Sequence, residues 1–325
     1  MSQSSFGKKF VVTTWGESHG KAIGAVLDGC PAGLSLCEED IQVFLDRRKP
    51  GQSRYTTARK EGDLVEILSG VFDGKTTGTP ISLLIRNTDQ RSRDYGNIAY
   101  SYRPGHADYT FDQKYGFRDY RGGGRSSGRE TAGRVAAGAI AIKLLNELGI
   151  TFTTYAKSIG PVEIRSFSED EIRNNALCMP DADAAEKASA YLEECLKNQD
   201  SAGGVIECRI KNVPAGLGDT VFDKLDATLA HAIMSIGAVK AVEIGDGIQV
   251  TKLTGSADND GFSQKDGVIT KTSNHAGGIM GGMSDGSDII LRAHIKPTPL
   301  SASHSPLSPT RGRIWSLRSK DAMIQ

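Results

Sequence analysis

The sequence has little that would tie it to a membrane, an oxidising compartment or nucleic acid. No run approaches the roughly 20 apolar residues of a membrane-spanning helix, and the first ten residues lack the apolar core of a signal peptide. The five cysteines are scattered and form no C-x-x-C pair. Basic and acidic residues number 39 each, so no overall positive field attracts nucleic acid or an anionic membrane. These absences predict a reduced, cytoplasmic protein.

Aromatic residues are scarce at 6 %, whereas glycine is abundant, with 38 of 325 residues. No collagen-like period or low-complexity tract accounts for the glycines. Because glycine adopts backbone conformations closed to other residues and lets a ligand approach the main chain, we expect turns and a binding site at these positions. A chain of this length can bury about three quarters of its unfolded surface, so it needs no structural metal.

The hydrophobic pattern predicts alternating strands and helices. One helix is predicted after a capping box of Ser35 and Glu38, and a longer one after a capping box of Ser127 and Glu130. The predicted strands are 10–15, 22–27, two within 64–86, 204–213 and 239–244, and further helices are predicted at 169–175, 183–198 and 219–236.

The chain contains an internal echo. Pro-Ala-Gly-Leu occurs at 31–34 and again at 214–217, each time between a strand and a helix. Segment 70–88 resembles segment 282–298, and the offset between copies grows from 183 to about 210, which an insertion in the second copy explains. The sequence therefore predicts two similar halves related by approximate twofold symmetry, with chance similarity between glycine turns as the alternative.

A glycine-bounded turn, Gly-Glu-Ser-His-Gly at 16–20, presents Ser18 and His19. Its spacing fits the G-x-S-x-G elbow of serine hydrolases. That elbow requires a following helix, whereas 22–27 has a strand pattern, and no earlier strands are available to build an oxyanion hole. We therefore interpret His19 as a functional turn residue, with a serine hydrolase that uses Ser18 as the first alternative.

Five arginines alternate with glycines between 118 and 134. The backbone N–H groups of 122–124, the positive end of the following helix and the guanidinium groups all favour a phosphate or carboxylate ligand. Arg48 and Arg54 belong to a second basic cluster around 49–51. Two such clusters in a neutral protein predict a small polyanionic ligand, and a non-catalytic binder of phosphorylated metabolites or RNA is the second alternative. His106 lies in a third glycine-containing loop, and no histidine spacing suggests a metal site.

Six segments together resemble the chorismate synthase family. They are Trp-Gly-Glu-Ser-His-Gly at 15–20, Arg-Arg-Lys-Pro-Gly-Gln-Ser-Arg at 47–54, Arg-Pro-Gly-His-Ala-Asp at 103–108, the run 122–130, Ala-Ile-Met-Ser-Ile at 232–236, and Asn-His-Ala-Gly-Gly at 274–278 continuing to Lys-Pro-Thr at 296–298. The resemblance covers 5–299. It implies an internally duplicated α+β fold, a β-α-β sandwich with helices between antiparallel sheets, in a single domain, 1–299, with halves of about 5–150 and 151–299.

The resemblance also implies an activity. This is the anti-1,4-elimination of phosphate from 5-enolpyruvylshikimate 3-phosphate to chorismate, a lyase step of the shikimate pathway towards aromatic amino acids, with reduced FMN and no net redox change. A cytoplasmic homotetramer is expected. Whether NADPH reduces the flavin on the enzyme stays open, and an external supply is favoured because no insertion suited to a nicotinamide site is visible.

The family's functional residues are carried over by position. The resemblance implies that His19 lies beside the flavin and that His106 protonates the departing phosphate. The implied substrate-binding residues are Arg48, Arg54, Arg103, Ser127 and Arg129. The implied FMN-binding residues are Arg125, Ser126, Ser127, Gly237, Ala238, Gly281, Lys296, Pro297 and Thr298.

Residues 300–325 depart from the family, whose chains continue after Lys-Pro-Thr through a Lys-Gly-Arg-His-Asp-Pro motif. A coding sequence exists for 314–325 that, read one nucleotide earlier, encodes Asn-Met-Glu-Phe-Ala-Leu-Lys-Gly-Arg-His-Asp-Pro. Our hypothesis is that 300–325 is a frameshifted reading of the family's C-terminal segment. If this tail is genuine, we expect impaired FMN binding and little turnover.

The serine-hydrolase alternative has a direct test. A fluorophosphonate should leave the intact mass of the protein unchanged, because the turn at 16–20 lacks the surroundings that activate a serine. A known serine hydrolase treated in parallel is the positive control. A stoichiometric adduct on Ser18 would establish the alternative.

Overall fold

Two antiparallel sheets, one from each half of the chain, form the framework of the computed structural model, which describes residues 4–49, 51, 61–88, 102–103, 105–120 and 122–298. The first half contains β1 (Ser5–Phe6), β2 (Val11–Gly16), β3 (Ala22–Asp28), α1 (Glu38–Arg48), β4 (Val65–Ile67), β5 (Val71–Phe72), β6 (Lys75–Thr76), β7 (Ile81–Arg86), α2 (Asp108–Tyr115) and α3 (Thr131–Glu147). The second half contains β8 (Thr151–Ile159), β9 (Val162–Glu163), α4 (Glu171–Asn174), α5 (Ala182–Lys197), β10 (Gly204–Lys211), α6 (Leu225–Met234), β11 (Val239–Ile244), α7 (Gly255–Asp258), β12 (Phe262–Lys265), β13 (Val268–Lys271), β14 (Ile279–Met280), β15 (Met283–Ser284) and β16 (Ile289–Ile295).

The two sheets repeat one topology. The first has the strand order β1-β2-β3-β7-β4, and the second has the order β9-β8-β10-β16-β11. Apart from the edge strands β1 and β9, each strand of the first sheet therefore has a counterpart in the second. Two links are much longer in the second half: 160–203 between β8 and β10 replaces 17–21 between β2 and β3, and 245–278 between β11 and β14 replaces 68–70 between β4 and β5.

The two Pro-Ala-Gly-Leu turns make the same hydrogen bonds. The Thr76 hydroxyl donates to the carbonyl of the first residue of turn 31–34 over 2.6 Å and accepts from the N–H of the fourth over 3.0 Å. The Ser284 hydroxyl does the same for turn 214–217, over 2.6 Å and 2.9 Å. This repetition supports the proposal that the halves of about 5–150 and 151–299 are copies within one domain, 1–299.

Helix α3 lies between the two sheets. It contacts β2, β3 and β7 of the first sheet and β8 of the second. Ala136 and Ile140 are buried in the first core, and the adjacent residues Leu144 and Leu145 pack against the first and second cores respectively. The predicted α+β sandwich with helices between antiparallel sheets is thus confirmed. No helix within the described ranges has both the length and the apolarity to span a membrane.

The N-terminal end of α1 differs from the prediction. Cys37 precedes the helix and forms the reciprocal capping pair with Asp40, whose carboxylate accepts from the Cys37 N–H over 3.0 Å. Ser35 instead forms a β-bridge with Lys75, and because of that pairing the helix begins two residues later than predicted. The predicted capping box of Ser35 and Glu38 was therefore wrong.

Other boundaries also differ. Ser127 accepts from a backbone N–H as predicted, but it caps a short 3₁₀ turn, 128–130, and the Glu130 carboxylate accepts from Thr14 across the core. Helix α6 is shorter than predicted, segment 64–86 forms four strands instead of two, and β8 and α2 were not predicted. Arg54 and residues 300–325, with their frameshift hypothesis, lie outside the described residues.

Gly133 lets α3 approach β3, and this closeness can be tested. A Cβ at Gly133 would lie 2.8 Å from the Gly24 carbonyl oxygen, so Gly133→Ala forces the helix away from the sheet. We expect urea unfolding to show a loss of about 1–3 kcal/mol. In the same helix, a Cβ at Gly138 meets nothing within 4 Å, and Gly138→Ala should stabilise by about 0.5–1 kcal/mol. Equal effects of the two substitutions would contradict the packing argument.

Candidate active site

The turn between β2 and β3 is closed by a side chain from β7. Asn87, which follows β7, donates from Nδ2 to the carbonyls of Glu17 over 3.0 Å and Gly20 over 2.8 Å. Ser18 is 3 % exposed, and its hydroxyl lies 3.1 Å from Nδ1 of His19. The turn leads into strand β3, not into a helix, and Ser18 is buried, so the structure also disfavours a serine-hydrolase elbow.

Gly122 brings the two predicted catalytic histidines to one place. A Cβ on Gly122 would lie 2.5 Å from Nδ1 of His19, so the imidazole packs directly on the backbone. The Gly122 carbonyl accepts from Nη2 of Arg103 over 3.1 Å, and the same Nη2 lies 3.1 Å from Nδ1 of His106. Gly122, whose φ is +143°, therefore contacts His19 directly and is linked to His106 through Arg103.

Asp108 is the centre of a charged group at the start of α2. The residue is 3 % exposed, and its carboxylate accepts from Arg103 at Nε over 2.8 Å, at Nη2 over 2.7 Å and at the backbone N–H over 3.0 Å. It also lies 2.8 Å from Nδ1 of His106, and Nε of Arg118 is 3.8 Å away. One buried carboxylate thus holds two guanidinium groups and one imidazole.

These contacts shift both titrating groups. Burial alone would raise the pKa of Asp108, but the hydrogen bonds from Arg103 and the nearby His106 lower it to about 2. Burial lowers the pKa of His106, and Arg103 and Arg118 lower it further, while Asp108 acts in the opposite direction. The net pKa of His106 is below its ordinary value, so the imidazole gives up a proton readily.

A second buried carboxylate joins two predicted substrate residues. Asp63, 1 % exposed, accepts from Nη1 of Arg48 over 2.6 Å and from Nη1 of Arg129. Nε of Arg129 donates to Oδ1 of Asn87 over 2.8 Å, which connects this pair to the histidine turn. Arg129 is 4 % exposed, and its buried Nη2 has no hydrogen-bond partner among the described residues, although a carboxylate oxygen of Glu61 lies 3.9 Å away.

Arg125 ties the glycine-rich loop to β2. Its guanidinium donates to the carbonyls of Gly16 over 3.0 Å and Thr14 over 3.1 Å, and to the Thr14 hydroxyl over 2.7 Å. Ser126 donates to a loop carbonyl over 2.7 Å, and Ser127 accepts from the Arg129 N–H over 3.2 Å. The predicted flavin and substrate residues at 125–129 are therefore held against the histidine turn.

A pocket opens beside the two histidines. Its lining combines acidic, basic and bare backbone groups: Glu17, His106, Ala107, Asp108, Phe111, Arg118, Asp119 and 122–126. A Cβ on Gly124 would point into open space, so the backbone itself is accessible there. Such a pocket can bind a small anionic ligand through guanidinium and N–H groups while an imidazole faces it.

The second half of the chain reaches the same loop. Nζ of Lys296 donates to the carbonyl of Gly105, next to His106, over 3.4 Å. The Lys296 N–H donates to the carbonyl of Ala238, which has a φ of +70°, over 3.0 Å. Gly237 precedes Ala238, so these predicted flavin residues lie together near the histidine loop.

Other predicted residues have different surroundings. The Thr298 carbonyl accepts from the Ser201 hydroxyl over 2.7 Å, and the preceding residue, Pro297, lies against Gly203. Gly281 lies in the β14–β15 hairpin. Among the described residues, the backbone hydrogen bonds that leave strands β14 and β15 and their turn go to 216–217 and 225, and not to the pocket. Arg54 lies outside the described residues.

The sequence analysis missed three residues that organise the site. Asp108 stands two positions after His106 in a segment that was already recognised, and this spacing was a usable signal. Asn87 directly follows a strand and belongs to none of the six segments that resemble the family. Asp63 belongs to no local pattern. Their roles depend on partners far away along the chain.

Comparison with known proteins gives a consistent result. A family model described as chorismate synthase matches residues 10–307. A chorismate synthase of Agathobacter rectalis is 66% identical over 305 residues, which cover 93% of this chain and 83% of the relative. One of Lachnoclostridium phytofermentans is 66% identical over 302 residues, covering 92% and 82%. A crystal structure of chorismate synthase matches with a TM-score of 0.77 and 35% identity, covering 89% of this chain and 85% of that one.

Asn87 provides a test of the turn. Asn87→Ala removes two donors and one acceptor and leaves the partner groups buried, so the free energy of unfolding should fall by about 1–3 kcal/mol. Asn174→Ala, which removes only an exposed contact to Glu171, is the matched control and should stay within about 0.5 kcal/mol of the parent. Urea unfolding measures both, and an Asn87→Ala variant as stable as the control would contradict the assignment.

Proposed function

The chain belongs to the chorismate synthase family, and we propose that it converts 5-enolpyruvylshikimate 3-phosphate to chorismate by 1,4-elimination of phosphate, with reduced FMN as cofactor. Its function is that of a chorismate synthase, a lyase of the shikimate pathway that acts on a small molecule. The observation that carries the proposal for the site is the packing of His19 on Gly122 and the link from Gly122 through Arg103 to His106, at a pocket that His106, Arg118 and Arg125 line.

The residues present fit a flavin mononucleotide. Arg125, Ser126 and Lys296 are donors suited to a phosphate. Arg125 and Ser126 line the pocket, and Lys296 contacts the loop that contains His106. Gly124 and Gly237 would each direct a Cβ into open space, so a planar ring can approach the main chain there. When bound, a reduced flavin supplies electron density to the allylic position as phosphate leaves and recovers it without net oxidation.

We assign the remaining flavin contacts to Ser127, Ala238, Pro297, Thr298 and Gly281. For Pro297, Thr298 and Gly281 the assignment rests on the family resemblance alone. His19, held between Gly122 and the Ser18 hydroxyl, is the imidazole assigned to the edge of the flavin. Its ring is packed against backbone, so it occupies one orientation before any ligand binds.

The substrate's phosphate and carboxylates are assigned to Arg48, Arg54, Arg103, Arg129 and Ser127. Asp63 and Asp108 hold three of these arginines in place by buried ion pairs. A guanidinium fixed in this way needs no reorganisation when an anion arrives, which favours binding of a leaving phosphate as its charge develops.

His106 is the proton donor to the leaving group in this proposal. In the leaving-group step, the carbon–oxygen bond breaks, the electron pair stays on the phosphate oxygen, and the imidazolium transfers its proton to that oxygen. The ring C–H bond also breaks in the elimination, its electron pair completes the new double bond, and its proton is released to solvent. The lowered pKa of His106, caused first by burial and then by Arg103 and Arg118, makes the protonated form a stronger acid. A homotetramer, a cytoplasmic location and an external supply of reduced flavin complete the proposal. The homotetramer rests on the family resemblance, the location on the scattered cysteines, and the external supply on the lack of an insertion suited to a nicotinamide site.

The function is tested under anaerobic conditions with dithionite-reduced FMN, by following chorismate formation. His106→Ala should lower kcat by about 100-fold or more relative to the parent, with a smaller change in KM, because it removes a proton donor and not a binding group. His231→Gln is the control, since His231 lies on α6 and packs edge-to-face on Phe6.

The ratio of the variant rate to the parent rate is the readout. Equal rates for His106→Ala and the parent would refute the role of His106. Saturable binding of FMN and substrate without chorismate formation by the parent would instead favour the non-catalytic binder of phosphorylated metabolites.

A further inference from the structure

The ring nitrogen Nδ1 of His106 has two polar neighbours that imply opposite protonation states. Oδ1 of Asp108 lies 2.8 Å away, and Nδ1 can lie this close to a carboxylate oxygen only if it carries a hydrogen. Nη2 of Arg103 lies 3.1 Å away and would donate to Nδ1 only if that nitrogen had a free lone pair. The two contacts cannot both be hydrogen bonds of a neutral imidazole in one tautomer.

Counting hydrogens on Arg103 resolves this conflict. Nη2 of a guanidinium carries two hydrogens. One has an acceptor in Oδ1 of Asp108 at 2.7 Å, and the other has an acceptor in the Gly122 carbonyl at 3.1 Å. No hydrogen of Nη2 is then left for His106, so Nη2 of Arg103 and Nδ1 of His106 are in van der Waals contact only.

The state of the carboxylate gives the same answer. The pKa of Asp108 is about 2, because hydrogen bonds from Arg103 outweigh the effect of burial, and the group is ionised near neutral pH. An ionised carboxylate only accepts hydrogen bonds. The hydrogen between Asp108 and His106 therefore belongs to the imidazole.

We propose that Asp108 is a positioning residue that fixes His106 in the Nδ1–H tautomer and leaves Nε2 as the nitrogen that meets a ligand in the pocket. This inference rests on the proposed function, in which His106 is the proton donor. Nε2 then carries the transferred proton, while Nδ1 keeps its hydrogen throughout the reaction. Asp108 itself touches neither substrate nor cofactor in this assignment.

The charges around His106 give Asp108 a second effect. Arg103 and Arg118 face the imidazole and disfavour its protonated form, and Arg125, Glu17 and Asp119 line the same pocket. Asp108 contributes the negative charge closest to the ring. Removing that charge while keeping the shape should lower the pKa of His106 further and reduce the protonated fraction at neutral pH.

Asp108→Asn is the variant that separates these effects, because an amide replaces the carboxylate with little change in volume. In the parent, ¹⁵N-edited NMR of the imidazole above its pKa should show a hydrogen on Nδ1 and a lone pair on Nε2. In Asp108→Asn, we expect a shift towards the Nε2–H form, which isolated histidine prefers, and a lower pKa for His106. Asp112→Asn is the matched control, since Asp112 lies on α2 with Asp108 but pairs with Arg118, which follows the helix, and the substitution should leave the tautomer unchanged.

The NMR measurement needs no turnover, so it tests the positioning role of Asp108 separately from the proton-donor role of His106. A parent protein with Nε2–H on His106, or an unchanged tautomer in Asp108→Asn, overturns the positioning role even if His106→Ala is inactive. An Nδ1–H tautomer in a protein whose His106→Ala variant retains full activity leaves the geometry correct and refutes the proton-donor role of His106.

Activity supplies the second readout. Asp108→Asn should lower kcat by about 10- to 100-fold, on the scale seen for hydrogen-bond partners of functional histidines, and should displace the kcat pH profile to lower pH. A purely structural role would lower stability without moving that profile. Asp108→Glu keeps the charge and should retain the pH profile of the parent, and a displaced profile in Asp108→Glu would count against the proposal.

Discussion

Pairing of buried carboxylates with arginines is the constraint on which the site depends. An ionised group without partners costs several kcal/mol in a protein interior, so the chain must bring a cation to Asp63 from wherever one is available. The partners are Arg48 at the end of α1 and Arg129 just before α3. Because Arg129 also donates to Asn87, this one carboxylate fixes the relation of two helices to the end of β7.

A second buried ion pair of this kind lies at the start of α2, where it positions the histidine loop. Asp108 holds Arg103, and Arg103 in turn donates to the carbonyl of Gly122. Gly122 is thereby linked to His106, and any side chain at Gly122 would collide with His19. The guanidinium groups beside the pocket are thus held in fixed directions by internal anions, and such fixed donors can stabilise charge that develops on an anion without reorganising.

The two halves share one scaffold, but the site is asymmetric. Both halves keep the same strand order and the same hydroxyl-bonded Pro-Ala-Gly-Leu turn. The tight histidine turn, 17–21, joins β2 and β3 in the first half, whereas 160–203, with α4 and α5, joins the corresponding strands β8 and β10. The second half instead reaches the site through Lys296, which contacts the loop of His106. One copy carries the imidazoles, and the other contributes a cation.

The sequence by itself determined features that local geometry controls. Runs of β-branched and apolar residues predicted β2 and β3, and the turn between them follows from its two glycines. The segments that resemble the family were enough to name both histidines and their arginines. Local patterns were less reliable where a distant strand competes, as at Ser35, which pairs with Lys75 instead of capping α1.

Only the tertiary structure decided which acid each arginine meets. Nothing near Asp63 in the sequence indicates that it joins Arg48 to Arg129, and nothing near Asn87 indicates that it closes the turn of His19. Periodicity and turn chemistry are properties of neighbouring residues, so a sequence displays them directly. The pairing of buried charges is settled by packing between distant segments, and therefore the orientation and tautomer of His106 could be read only once the chain was folded.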